Sequence, residues 1–176
     1  MTKALFWLDL EMTGLDEKTD SILEVAVAIT DMDLNILETY QKVVFQPQSV
    51  LEAMNDWCKK HHGESGLTAE VPKGTPLEKV EEELIQLVGK YYPKNERVVI
   101  CGNSIGNDRR FIDKYLVKFA ALLHYRMIDV SSFKEVYREK WGLKFDKANT
   151  HRAEQDIRES IKELSYYLSF IQVPAK

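Results

Sequence analysis

Apolar and polar positions follow two different rhythms along this chain. Up to Phe45 the apolar residues form short, β-branched runs: Ala4–Glu11, Ile22–Thr30 and Ile36–Phe45. Turn residues at Thr13-Gly14 and Asp31-Met32-Asp33 separate them, which predicts three strands in an antiparallel meander. After Pro47 the apolar positions recur every three or four residues. Leu51, Met54 and Trp57 predict a helix from Val50 to about His62, and a short helix is expected over Ser65–Val71. Leu77, Val80, Leu84, Leu87 and Val88 share one face of an amphipathic helix that begins after Pro76. Arg97–Cys101 reads as a short strand, and Gly102–Asn107 as a loop into a helix carrying Phe111, Ile112, Tyr115, Leu116 and Phe119. A strand is expected at Met127–Val130. A helix over Ser131–Trp141 follows, with Ser131 or Ser132 as its cap. A polar loop, Lys144–Thr150, leads to a last helix whose stripe is Ala153, Ile157, Ile161, Leu164 and Leu168. Strands first, then strands alternating with helices, predict one α/β domain over 1–176, a mixed sheet flanked by helices.

Two acids break the first strand's apolar run. Asp9 and Glu11 lie two apart, so both project from one face of a strand that is otherwise buried. Adjacent buried charges are costly unless neutralised, and a divalent cation does this well because hard cations prefer carboxylate oxygens. Asp108 shares a helix face with Phe111, Ile112, Tyr115 and Phe119, so it also points toward the sheet. Asp156 lies beside Ala153, Ile157 and Ser160 at the edge of the last buried stripe. Four such acids would suffice to hold two Mg²⁺ or Mn²⁺ ions of the kind that clamp a phosphodiester displacement. His151 precedes Asp156 by five residues, about 140° apart on a regular helix. It must therefore sit in the loop or first turn to share their site, where it would suit a general base.

Composition narrows the partners. The chain has 176 residues, 44% hydrophobic and 30% charged, with a net charge of −4. That balance argues against tight binding of long nucleic acid through a broad basic surface, since phosphate neutralisation dominates such affinity. A short nucleotide in a pocket is not excluded. No apolar run approaches the roughly 20 residues of a membrane helix. Met1-Thr2-Lys3 leads directly into the first strand without a signal pattern, and Cys58 and Cys101 form no redox pair; both features favour a reduced cytoplasmic setting. Cys58-x-x-His61 resembles half a zinc site, but no second half has suitable spacing. Lys59-Lys60-His61-His62 reads as a solvated helix end.

Asp9-x-Glu11 with Thr13-Gly14, then Asp108, then His151 five before Asp156, resembles the DEDD exonuclease superfamily in its histidine variant. Longer strings are more specific. Asp-Leu-Glu-Met-Thr-Gly-Leu (9–15), Cys-Gly-Asn-Ser-Ile-Gly-Asn-Asp-Arg-Arg-Phe (101–111), His-Tyr-Arg-Met-Ile-Asp-Val-Ser (124–131) and Asp-Ile-Arg-Glu-Ser (156–160) resemble the oligoribonuclease family, as do residues 56–63 and 65–68. The resemblance implies a ribonuclease H-like fold and a homodimer. It also implies 3′→5′ hydrolysis of short RNA oligonucleotides and linear dinucleotides to 5′-nucleoside monophosphates. Asp9, Glu11, Asp108 and Asp156 carry over as metal ligands and His151 as general base. Leu15 matches a wedge against bases, and Trp57 would stack one. His62, Ser104, Arg126 and Ser131 match positions that cap a 5′ phosphate, and Tyr125 one that reaches across the dimer. Read without the family, these residues leave plainer roles open: turn packing for Leu15, core stripe for Trp57, helix-end positions for Tyr125 and Arg126. The absence of a mitochondrial-type extension favours a bacterial-style cytoplasmic form. The competing readings are a proofreading-type exonuclease on longer DNA and a silent nucleotide-binding module. Length dependence of cleavage separates the first, and absence of any metal-dependent product the second.

Overall fold

The computed structural model describes residues 3–146 and 152–172. Among these, five strands form one mixed sheet. β1 (Leu5–Met12), β2 (Ile22–Thr30) and β3 (Ile36–Val43) make the antiparallel meander. β4 (Ile100–Gly102) and β5 (Ile128–Asp129) continue the sheet on the other side of β1, parallel to it, giving the order β3-β2-β1-β4-β5. β1 is thus central, which is why its run is so apolar.

The strand alternation sends β1 into two cores. Phe6, Leu8 and Leu10 face one side, with Val25, Val27 and Ile29 of β2. α4 (Leu77–Tyr91) and α5 (Gly106–Tyr115) cover it. Leu5 and Trp7 face the other side with Ala26 and Ala28. There α7 (Val130–Trp141) and α8 (Ala153–Leu168) pack. Asp9 and Glu11 continue the Leu5–Trp7 face, so they lie under α8.

Four expected elements are divided or capped differently. The helix over Val50–His62 is two helices, α1 (Gln48–Ala53) and α2 (Asp56–Glu64). The break falls at Met54, which is extended in ψ, and Asn55 restarts the helix by accepting the Cys58 N–H at 2.9 Å. The restart turns Cys58 and His62 inward and leaves Trp57 outside the buried stripe. After α3 (Leu67–Glu70) a 3₁₀ turn covers Val71–Lys73. The helix expected to run through Phe119 breaks at Leu116, and a one-turn α6 (Val117–Ala120) follows. Buried Glu81 accepts the Lys118 and Phe119 N–H groups at 2.7 and 3.1 Å, which satisfies the new helix end. The cap of α7 is Asp129, not Ser131 or Ser132. No helix among the described residues is long and apolar enough to cross a membrane. The loop expected over Lys144–Thr150 lies outside the described residues from 147 on, as does His151.

Candidate active site

The three parallel strands end at the same edge of the sheet, where an open α/β sheet leaves room for a ligand. Asp9 and Glu11 stand at that end of β1. Asp156, on the first turn of α8, comes down on the same face. Each of the three offers a carboxylate oxygen within 4.8 Å of the other two, and all are half-buried. α8 is held there by apolar packing below and by an ion pair at its start. Arg152 donates through Nη2 to Glu24 Oε1 at 2.8 Å and through Nη1 to Glu70 Oε1 at 2.9 Å. The Ala153 N–H also reaches Glu24, at 3.0 Å. Glu24 pairs directly with Glu11 across β1 and β2, a like-charge juxtaposition that Arg152 offsets.

Asp108 reaches the cluster by another route. Its helix, α5, covers the opposite face, so Asp108 arrives around the sheet edge and stands beside the trio rather than in it. β4 pairs with β1 only as far as Trp7, and the Leu10 N–H beyond it is left without a strand partner. Asp108 Oδ1 accepts it at 2.9 Å. Gly102 lets β4 lie close against β1: a Cβ there would meet the Leu8 carbonyl and the Ile105 side chain, each at 2.8 Å. Asp108 is 5% exposed, and burial pushes its carboxyl up to about 7 despite the Leu10 hydrogen bond. Burial, then the charges of Asp156, Glu24 and Asp108, push Glu11 up to about 8. Carboxyls raised chiefly by burial, with Glu11 also repelled by its acidic neighbours, form an all-oxygen donor set that fits a hard divalent cation.

Beside the acids lies a cleft of about 490 Å³, with Glu11 on its floor and Leu15, Trp57 and His62 in its walls. Leu15 and Trp57 are 64% and 58% exposed, unusual for such large apolar side chains facing a cleft. The Leu15 turn is built on Asp20, which accepts from Thr13 Oγ1 and the Asp16 N–H, both at 3.0 Å. A Cβ at residue 14 would overlap the Asp20 carboxylate, which accounts for Gly14. α5 ties this turn down: Arg110 donates to the Leu15 carbonyl at 3.2 Å, and Tyr115 Oη to the Asp20 carbonyl at 2.6 Å. His62 is buried in the cleft wall. Its Nε2 donates to the Met12 carbonyl at 2.8 Å, and Nδ1 lies 3.8 Å from Glu11 Oε2.

Ser104 and Ser131 meet on one side chain. Asp129 Oδ1 accepts from the Ser104 N–H at 2.9 Å, the Ser131 N–H at 3.0 Å and Ser131 Oγ at 2.7 Å. Arg126 and Tyr125 are exposed in the segment leading into β5, where Arg126 Nε donates to Tyr125 Oη at 3.0 Å. Sequence reasoning passed over Asp129, Glu24 and Arg152. Glu24 did carry a signal, as an acid inside an all-apolar strand, and Asp129 another, as a cap-type residue just before a helix.

An α/β sheet with acids gathered at the ends of its parallel strands defines a nuclease-type hydrolase site, and the comparisons agree. The Exonuclease (RNase_T) family profile matches residues 6–164. Exonuclease I from E. coli, solved with single-stranded DNA, superposes with a TM-score of 0.75 at 14% identity over 96% of this chain. Exonuclease I from Methylocaldum szegediense gives 0.68 at 16% identity. Both share the ribonuclease H-like fold; this chain spans only 41% and 40% of their lengths. The mitochondrial oligoribonuclease of Homo sapiens is 46% identical over 173 residues, covering 95% of this chain and 73% of the relative. An oligoribonuclease of Francisella tularensis subsp. tularensis is 44% identical over 167 residues, covering 93% of each. The chain belongs to the oligoribonuclease family of exonucleases.

Proposed function

We propose that this chain is a 3′→5′ exoribonuclease on very short RNA, with linear dinucleotides preferred, releasing 5′-nucleoside monophosphates. The observation that carries this reading is that two groups of polar side chains stand at the ends of neighbouring parallel strands. An acid cluster and the Leu15–Trp57 cleft lie at one end of β1, and the Ser104–Asp129–Ser131 group lies at the ends of the adjacent β4 and β5. No broad basic surface is needed to hold so short a ligand, in keeping with the net charge of −4.

The 3′-terminal base stacks on Trp57, with Leu15 against its other side, an arrangement indifferent to base identity because every base has a π-face. This sets the last phosphodiester over the acids. Water attacks phosphorus in line with the departing 3′ oxygen. The new P–O bond forms as the P–O3′ bond breaks, and the products are a 5′-monophosphate and a chain one residue shorter with a 3′ hydroxyl. His151 takes the water proton; its role rests on the family match, since it lies outside the described residues. Asp9, Glu11, Asp108 and Asp156 would hold two divalent cations, Mg²⁺ or Mn²⁺, which supply positive charge to the phosphoryl oxygens and ease water deprotonation. Ser104 and Arg126 receive the 5′ phosphate, with Ser131 beside them on Asp129, and an Arg fork suits a dianion. Tyr125, 75% exposed, completes the cap from a second copy in a homodimer. Both cysteines are free and buried, in keeping with a reducing compartment such as the cytoplasm.

The test is hydrolysis of 5′-labelled RNA under Mn²⁺, a dinucleotide against a long strand, with Asp108→Ala as the dead control. Fast dinucleotide cleavage and slow long-strand cleavage are expected. Equal rates would replace this reading with a general exonuclease, and no metal-dependent product would replace it with a binding module.

A further inference from the structure

We infer that Asp129 is the positioning residue of the 5′-phosphate end of the site, fixing Ser104 and Ser131 in place without touching the substrate. The inference rests on the proposed 5′-phosphate cap.

A helix cap alone does not account for what Asp129 does. Capping α7 requires one bond, from the Ser131 N–H to Oδ1 at 3.0 Å. The same oxygen also accepts the Ser131 hydroxyl at 2.7 Å and, from the turn after β4, the Ser104 N–H at 2.9 Å. That last bond spans 25 residues and contributes nothing to the end of α7. It does hold Ser104 in a left-handed conformation, φ 54°, which L-residues other than Asn and Asp seldom adopt. Without the carboxylate the turn has reason to relax to negative φ and swing the Ser104 side chain away. The Ser131 hydroxyl gives its single proton to Asp129 and so braces the turn, leaving the Ser104 hydroxyl to donate to a phosphate. Asp129 pairs with Gly102 in the β4–β5 register, so its side chain is anchored at the strand end from which both serines spring.

With three donors converging on Oδ1, Asp129 is placed to orient neighbours rather than to bind a cation, and it stands outside the Asp9–Glu11–Asp156 trio. Those donors stabilise its negative charge, which still reaches Asp108 and helps to raise that carboxyl.

The experiment measures kcat and KM under Mn²⁺ for a 5′-phosphorylated and a 5′-hydroxyl diadenylate, using the full chain, Asp129→Ala and Asp129→Asn, with thermal unfolding of each. The wild-type protein is expected to prefer the phosphorylated dinucleotide. Asp129→Ala should lose that preference by about tenfold or more, mainly through KM, in proportion to two or three lost hydrogen bonds. Asp129→Asn keeps an oxygen acceptor and should restore most of it. If Asp129→Ala lowers both substrates equally, in step with its Tm, Asp129 is only a helix cap and the inference fails. If the wild-type protein has no preference for the 5′ phosphate, the cap itself fails, and the inference with it.

Discussion

Replacing Arg152 with alanine tests whether the start of α8 is held by charge or by apolar packing alone. Glu24 is fully buried, and the Arg152 side chain is 25% exposed. Breaking a buried pair from one side costs roughly 3–5 kcal/mol, because the other charge is left uncompensated. Here Glu24 would keep the Gln41 Nε2 donor at 2.8 Å and the Ala153 N–H at 3.0 Å. Water would also enter where Arg152 was already partly exposed. Those two effects reduce the expected cost to about 2–3 kcal/mol. For a domain of this size that is a fall in Tm of roughly 5–10 °C, measurable by calorimetry or circular dichroism. The decisive variant is Arg152→Ala combined with Glu24→Gln, which removes the stranded charge and should recover about half of the loss by the same reasoning. A single variant within about 0.5 kcal/mol of wild type would mean the pair behaves as a surface ion pair. Purely additive losses in the double variant would equally refute the argument.

Other outcomes follow from the site. Glu11 is raised to about 8 from its ordinary 4.5, so between those values the folded, metal-free protein binds a proton that the unfolded chain does not. Its stability should therefore fall as pH rises through that window, by about 2–5 kcal/mol in all. Mn²⁺ binding at pH 7 should release protons, and calorimetry in two buffers of different ionisation enthalpy would refute this by finding none. Asp156→Asn should abolish hydrolysis yet stabilise the metal-free protein at neutral pH by roughly 0.5–2 kcal/mol, since it removes the largest charge acting on Glu11. A Tm below wild type would contradict that. Trp57→Ala should lower kcat/KM for dinucleotides by about 5- to 150-fold, the worth of one stacked base, with little change in Tm because the ring is mostly exposed. A large loss of stability without a kinetic effect would return Trp57 to the core.

The sequence alone determined the periodic features. β-branched runs and turn residues located the meander, with β2 at Ile22–Thr30 in both readings. The spacing of two along β1 put Asp9 and Glu11 on one face, and helical spacing put Asp108 and Asp156 toward the sheet. These are local consequences of backbone geometry and need no tertiary information. What only the tertiary structure decided depends on which helix covers which face. α8 lies over the acids of β1, so Asp156 joins them directly. α5 lies under the sheet, so Asp108 comes in around the edge and attaches to the Leu10 N–H that the short β4 leaves open. Periodicity treats both acids alike and cannot make that distinction. Nor could it show that Trp57 faces out, because the break at Met54-Asn55 resets the helix phase through a capping bond, not through hydrophobicity. The Glu24–Arg152 pair spans 128 residues, and Asp129 draws together serines from two separate turns. Hydrogen bonds between groups so distant in sequence leave no periodic trace; they exist only once the sheet has brought its strand ends together.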